Sequence, residues 1–442
     1  MQVLAPHTVR ELHIIADRAG EKNALDFFDC TKSQGGRDLL RKMVLDPKHD
    51  LNTLLAFQDT LRLIAEDVNK WDVNISSSYI AAVENYYSSS VTYSMSQDIF
   101  MHFFDTMLFS WKHPHEFDLV RSGLSATILL IREFKTTADR FGDALIPSLV
   151  NDDFEFLTSF FQQSTIKLLV KIAPHEISKS KVLYLDYYLR IKQKKTLRRI
   201  LDIFYLLDAY TSIAQKSIEH GLIFPDFTDE SAVFEAKGLW QPFIPNAISN
   251  DFTLNEAAPL CLLTGANTSG KTTFLKTCGL VAYLAHLGWP VPAKSLRISF
   301  FDKLFISIHL SDDLDLGYSH FYNEVMRIKE IALALKAKES CLVIIDELFR
   351  GTNTADALFC SKTVINGFIR QNKSLFLVST HLLEILPEFE KSGRIVLHCF
   401  QTNVKEADFE NTFKIAPGIA REKIGRMILE KTGVVNLLSD FD

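Results

Sequence analysis

No apolar stretch of the chain approaches the roughly 18 residues that a membrane-spanning helix needs. Its first residues, MQVLAPHTVREL, have no basic segment leading into an apolar one. Both absences argue against insertion or secretion and lead us to expect a cytoplasmic protein with no membrane partner. The six cysteines, Cys30, Cys261, Cys278, Cys341, Cys360 and Cys399, show neither C-x-x-C nor Cys/His metal spacing. Several sit in apolar runs such as LCLLT and CLVII, as reduced core residues do. Internal repeats and low-complexity tracts are also missing. The formal charge is −6, which excludes a wholly basic nucleic-acid coat and leaves room only for a local basic patch.

What is present is 442 residues with 47% hydrophobic content, enough for about two to four domains with substantial cores. From residue 8 to 222 helical periodicity dominates, glycines are few, and polar or proline breaks fall near Asp46-Pro47, Asn74–Ser78, Ser88–Ser90, Pro147 and Pro174. Beyond Pro225 short apolar runs, LCLLT (260–264), CLVII (341–345) and SLFLVS (374–379), alternate with helical stretches at 271–287 and 321–337. Buried parallel strands with crossover helices read this way. The pattern predicts a multidomain chain: an all-α domain over 1–228, then an α/β domain over 229–442.

Residues 178–220 contain no proline or glycine, which permits a single helix of about 60 Å at 1.5 Å per residue. Arg190, Lys192, Lys194, Lys195, Arg198 and Arg199 would share one broad face of it, opposite Leu197, Ile200, Leu201, Phe204 and Leu207. A solvated face and a phosphate-contacting patch are both consistent with that pattern.

Between residues 264 and 277 the chain reads TGANTSGKTTFLKT. Gly265, Gly270, Lys271 and Thr272 satisfy G-x-x-x-x-G-K-[ST], whose backbone N–H groups wrap a polyphosphate while the lysine neutralises its outer oxygens. The stretch follows an apolar strand and opens a helix, as that P-loop chemistry requires. Thr272 is placed to offer its hydroxyl to Mg²⁺. Downstream, LVIIDE ends a second buried strand in Asp346, suited to the magnesium shell, and Glu347, suited to deprotonating an attacking water. A third strand closes in His381, placed to sense the γ-phosphate. A P-loop kinase would have no use for the Asp-Glu pair or for this histidine.

These motifs resemble the ATPase domain of the MutS family of mismatch-repair proteins, a branch of the ABC-type ATPases. GANTSGKTT is similar to that family's G-P-N-M-G-G-K-S-T, DELFRGTNTADA (346–357) to D-E-x-x-R-G-T-x-T-x-D, DDLDLGYSHFYNE (312–324) to its signature stretch, and STH (379–381) to its histidine motif. The helical half resembles the family's core and lever region through Gly36, Arg37, Leu40, Leu45, Pro47 and Gln58, and through LLDAYTSIAQKS followed by FPDF. The resemblance implies ATP and Mg²⁺ as ligands. It implies phosphate contacts along Gly265, Ala266, Asn267, Thr268, Ser269, Gly270, Lys271, Thr272 and Thr273, with Phe243 stacked on adenine. It further implies metal ligation by Thr272 and Asp346, and catalysis by Glu347 and His381 with Ser319 contributed by a second copy, so that a homodimer shares two sites and switches between open and closed states.

The family's mismatch-recognition domain with its wedge, its connector, a complete clamp and a nuclease extension have no counterpart in these residues. Tyr318-Ser319-His320 replaces Arg-Ser-Thr, and Thr268-Ser269 replaces Met-Gly. Two readings remain open. One is a DNA-responsive ATPase of the mismatch-repair class, touching DNA backbone or branched DNA through Arg190, Lys194, Lys195, Arg198 and Arg199 and signalling to a downstream repair protein. The other is an ABC-type switch acting on a protein partner.

Overall fold

The computed structural model describes residues 6–18, 20–89, 91, 101–142, 146–172, 177–308, 320–405, 408–420, 429 and 432–439. The chain is helical in its first half and mixed α/β in its second. It divides into two compact units, one of residues 1–27, 44–55 and 219–442, the other of residues 28–43 and 56–218. No helix among the described residues is long and apolar enough to cross a membrane, and none of the six cysteines is in a disulfide.

The first unit contains ten strands among the described residues: β1 (Asp226–Thr228), β2 (Val233–Leu239), β3 (Asn250–Asn255), β4 (Leu260–Thr264), β5 (Ser295–Ser299), β6 (Lys303–Ser307), β7 (Cys341–Ile345), β8 (Leu375–Ser379), β9 (Ile395–Lys405) and β10 (Asp408–Pro417). They form a four-stranded sheet ordered β1-β5-β2-β3 and a six-stranded sheet ordered β10-β9-β4-β8-β7-β6. In the larger sheet β9, β4, β8, β7 and β6 run parallel, and β10 closes one edge antiparallel. Every residue of β4, β7 and β8 is buried, which is why these strands read as unbroken apolar runs. Below them Phe368 stacks on Phe376 with ring centroids 4.2 Å apart. The smaller sheet was not legible as such: β2 and β3 are short and pair through a register shift.

The helix Lys271–His286 leaves β4 and is buried along nearly its whole length. Gly279 lets it lie close to its neighbours, since a Cβ there would sit 2.8 Å from Leu12 and 2.9 Å from Ile306. At its far end His286 is fully buried. Its Nδ1 lies 2.7 Å from the Ala282 carbonyl, which can only accept, while Nε2 accepts the Phe301 N–H at 2.9 Å. The imidazole is therefore held neutral and anchors the end of this helix opposite the glycine-rich loop.

In the second unit Gly36 and the stretch around Asp208, two of the motif positions read from the sequence, meet each other. The Asp208 carboxylate accepts from the Lys32 and Ser33 N–H groups and from the Ser33 hydroxyl, and Ser33, held in this way, caps the helix Gln34–Val44 by accepting the Gly36 N–H at 2.9 Å. Burial raises the Asp208 pKa, and those hydrogen bonds oppose the rise. Gly36 leaves room for the carboxylate: a Cβ there would lie 2.3 Å from Asp208 Oδ2.

The expected single helix over 178–220 is instead broken. A 3₁₀ turn Lys179–Lys181, the helix Val182–Asp186 and a π-helical turn Tyr187–Lys192 precede the helix Lys194–His220. The wide turn is closed by the Gln193 N–H on the Tyr188 carbonyl. It places Arg190 over Asp186, both buried, with two hydrogen bonds of 2.9 Å between them, and the Tyr86 hydroxyl also donates to Asp186. Arg190 is therefore interior and does not share the exposed face of Lys194, Lys195, Arg198 and Arg199. Pro174 and Ser90 lie outside the described residues.

Burial lowers the His286 pKa from 6.5 to about 4. As pH falls, the unfolded chain takes up this proton first, so the stability linked to neutral His286 is complete above pH 6.5 and is lost as pH drops towards 4. It amounts to about 3 kcal/mol. Urea midpoints measured across that window should fall more steeply for the native chain than for His286→Gln; parallel curves would remove His286 from the acid response.

Candidate functional site

Three adjacent parallel strands, β4, β8 and β7, end side by side, and their C-terminal ends carry the motif residues, where open α/β sheets generally place ligands. From β4 the chain turns through Gly265 and Gly270, with φ of 155° and 109°, into the first helical residue, Lys271. A Cβ at Gly265 would sit 2.7 Å from Ser269 Oγ and 3.2 Å from Phe400 Cβ, one at Gly270 would sit 3.3 Å from Phe413, and the positive φ strains any side chain at both. The loop thereby directs backbone N–H groups and a helix N-terminus into one cleft.

Lys271 is only 7% exposed. Its ammonium donates to the Gly265 and Ala266 carbonyls at 2.6 and 3.0 Å, folded back on its own loop. Burial lowers its pKa, with Glu347 and Asp346 pulling the other way. The buried Ser269 hydroxyl oxygen has no hydrogen-bond partner.

At the neighbouring strand ends Asp346 is held from two sides. Thr272 Oγ1 donates to its Oδ2 at 2.6 Å, and Ser379 Oγ donates to its Oδ1 while accepting the Glu347 N–H at 2.9 Å. One serine on β8 thus sets both acidic residues after β7. Glu347 adopts a left-handed backbone, φ 61°, which turns its side chain away from the strand direction. Its carboxylate is 2.9 Å from Arg350 Nε and 3.9 Å from His381 Nδ1.

The cleft above these groups has a volume of about 760 Å³ and includes Asn267, Thr268, Lys271, Thr272, Thr273, Asp346 and Glu347. Its apolar wall comes from Trp240, Ile244, Ile248, Phe400 and Phe413. Phe243, expected to stack on a base, is not on that wall: its ring meets Phe27 edge-on at 6.2 Å, and its carbonyl accepts from Lys22. The aromatic surface is supplied instead by the β9–β10 hairpin. Its register shifts between Asn411 and Ile415, and Phe413 takes φ 54°. Nothing local in the sequence marks Phe400 and Phe413 as site residues. Arg350 was visible within the Asp-Glu motif but had no assigned role.

Ser319 lies outside the described residues, as do Tyr318 and the side chain of His320. Glu324, at the end of the same motif, is buried and accepts the Arg350 N–H at 3.3 Å. In the second unit Arg198 lies 3.7 Å from Asp202, and Arg199 lies 3.5 Å from Asp153 and over the Phe156 ring. Among the described residues no three His, Cys, Asp or Glu side chains gather as a metal cage.

A mostly parallel sheet with a glycine-rich loop, a lysine and paired carboxylates at adjacent strand ends marks an α/β domain with its candidate site at the strand ends. Residues 261–438 match the profile of the family described as MutS domain V. Three similar relatives, each named DNA mismatch repair protein MutS, come from Ehrlichia ruminantium (strain Gardel), Rickettsia bellii (strain RML369-C) and Clostridium kluyveri (strain ATCC 8527 / DSM 555 / NBRC 12016 / NCIMB 10680 / K1). They are 33%, 35% and 31% identical over 234, 218 and 275 residues. Those matches cover 51%, 47% and 58% of this chain and 28%, 24% and 31% of the relatives, so the chain spans about a quarter to a third of their length. Over this domain the chain is similar to the MutS family.

Ser379→Ala would leave the Glu347 N–H and one Asp346 oxygen without their partner, at a cost of ~1–3 kcal/mol. Denaturant unfolding of the purified chain measures it, and an unchanged midpoint would mean that Ser379 does not fix the acidic pair.

Proposed function

We propose that the cleft binds ATP and hydrolyses it, and that the chain is a MutS-related, DNA-responsive ATPase of the mismatch-repair class. The observation that carries this reading is the Asp346 carboxylate fixed between Thr272 and Ser379, with Glu347 beside it at the mouth of the Lys271 loop. The loop N–H groups and the Lys271 ammonium bind the phosphates, the lysine exchanging its two carbonyl partners for phosphate oxygens. The planar base lies along Phe413 and Phe400.

The donor set suits Mg²⁺, because a hydroxyl and a carboxylate oxygen are hard ligands and this ion takes few protein groups beside substrate phosphates. Thr272 and Asp346 would hold it, and it would supply charge neutralisation at the phosphates. Glu347 accepts the proton of the attacking water as the water oxygen bonds to the γ-phosphorus. The bond from that phosphorus to the bridging oxygen breaks, and ADP leaves with the electron pair. To act, Glu347 must first release Arg350. His381 stands by to stabilise the γ-phosphate. Ser319 of a second copy completes each site, making the working unit a homodimer.

Lys194, Lys195, Arg198 and Arg199 are proposed to contact DNA backbone. A second reading, a switch acting on a protein partner, is favoured by the carboxylates of Asp202 and Asp153 that already face Arg198 and Arg199. Lys194→Glu with Lys195→Glu should weaken binding to all DNA sequences about equally and reduce the salt slope by about 2. Unchanged binding and slope would favour the protein-partner reading.

Glu347→Gln should bind ATP but hydrolyse it about 10²–10⁴-fold more slowly in single-turnover assays. Turnover near the native rate would remove Glu347 as the base. Mixing a Ser319→Ala chain with a Lys271→Ala chain should restore part of the activity, because one interface of the mixed dimer regains an intact pair. Independent monomers would show no rescue.

A further inference from the structure

In the second unit the helix Met101–Lys112 is two-sided, with Asp105, Thr106 and Ser110 on the side opposite a run of large apolar residues. Its inner side, with Thr106 fully buried, packs on the helix Pro114–Asp139 and on the segments Lys179–Lys181 and Val182–Asp186. Its outer side carries Met101, Phe103, Phe104, Met107, Leu108 and Trp111, with Trp111 79% exposed, Phe104 64% and the others between 46 and 52%. Monomeric proteins rarely leave so large a contiguous apolar face in water. Because aromatic side chains alone carry about 150–250 Å² each, these six leave on the order of 800 Å² open. That is about what each partner of a standard-size interface buries.

We propose that this face is a self-association surface, on which the same helix of a second copy packs antiparallel about a two-fold axis. Met101, Phe104, Leu108 and Trp111 follow a 3-4-3 spacing, the narrow seam by which one helix packs into another of the same kind. None of the six side chains is charged, so the face lacks the cations that a nucleic-acid backbone requires. It also lacks the lysine- and arginine-rich flank of a membrane-surface helix, since Lys112 is the sole basic residue of its last turn. Only the antiparallel register sets each aromatic opposite an aliphatic partner, Phe104 against the partner's Leu108 and Met101 against the partner's Trp111, and it aligns the two helix dipoles favourably. A two-fold interface repeats each contact, so one seam suffices for both copies.

This association needs no nucleotide and stands apart from the proposed ATP chemistry. The test uses the full chain carrying Leu108→Cys, treated with a short bis-maleimide in the absence of nucleotide, beside the unsubstituted chain as a control for its own thiols. Covalent dimer should form at least about tenfold above the control, and adding Trp111→Glu should suppress it about tenfold, as loss of a central aromatic anchor does. Melting curves check that Trp111→Glu stays folded, which its exposure leads us to expect. The same cross-link should form in a Lys271→Ala background, so a failure here is distinct from a failure of the ATP reading. Cross-linking no higher than the control, or equal with and without Trp111→Glu, would overturn the proposal. So would Trp111-dependent flotation with phosphatidylcholine–phosphatidylglycerol vesicles in the absence of cross-linking, which would make the face a membrane surface.

Discussion

The Asp346 carboxylate ties together three elements that are far apart in the sequence. Thr272 reaches it from the helix after β4, Ser379 from the end of β8, and its own strand, β7, delivers it. Because Ser379 also receives the Glu347 N–H, the position of the second acid depends on the same serine. The half-buried carboxylate accepts from two hydroxyls, which also fix the spacing between the glycine-rich loop and the acidic pair. The left-handed turn at Glu347 then directs its side chain toward Arg350 and His381. Geometry at the strand ends thus depends on side-chain hydrogen bonds that only adjacent parallel strands can provide.

Much of this was legible because the site is built from consecutive residues. Gly265 to Thr273 form one loop and helix start, Asp346 and Glu347 are neighbours, and His381 closes an apolar run; each lies where a buried strand must end. The misses come from contacts between distant segments. The resemblance implied that Phe243 stacks on adenine, whereas its ring meets Phe27 and its carbonyl accepts from Lys22. Phe413 enters the cleft only because the β9–β10 hairpin is bulged and its backbone is left-handed there, and no apolar periodicity announces either feature. The hold of Asp208 on Ser33, the cap of Gln34–Val44, was equally hidden, although Gly36, the residue that makes room for it, was among the motif positions.

The helical unit shows how a periodicity argument fails. With 3.6 residues per turn Arg190 joins the basic face, but a π turn adds a residue and rotates the next helical segment by about 100°. Asp186 and Arg190 satisfy each other inside the unit beside this turn, so the arginine is taken off the exposed face. Left outside are a basic stretch at Lys194, Lys195, Arg198 and Arg199 and the uncharged seam on Met101–Lys112. One surface is basic and the other uncharged and apolar, so the unit presents two chemically different faces.

The proposed chemistry requires the Thr272–Asp346 pair to open for a magnesium–nucleotide complex. Calorimetric titration of the full chain with ATP, in Mg²⁺ and in excess EDTA, compared with Thr272→Val, tests it most directly. Valine keeps the shape of threonine and removes its hydroxyl. The native chain should bind ATP at least about tenfold more tightly with Mg²⁺ than without, and Thr272→Val should lose most of that difference while keeping its metal-free affinity. Undetectable ATP binding by the native chain, or a magnesium dependence unchanged in Thr272→Val, would contradict the claim.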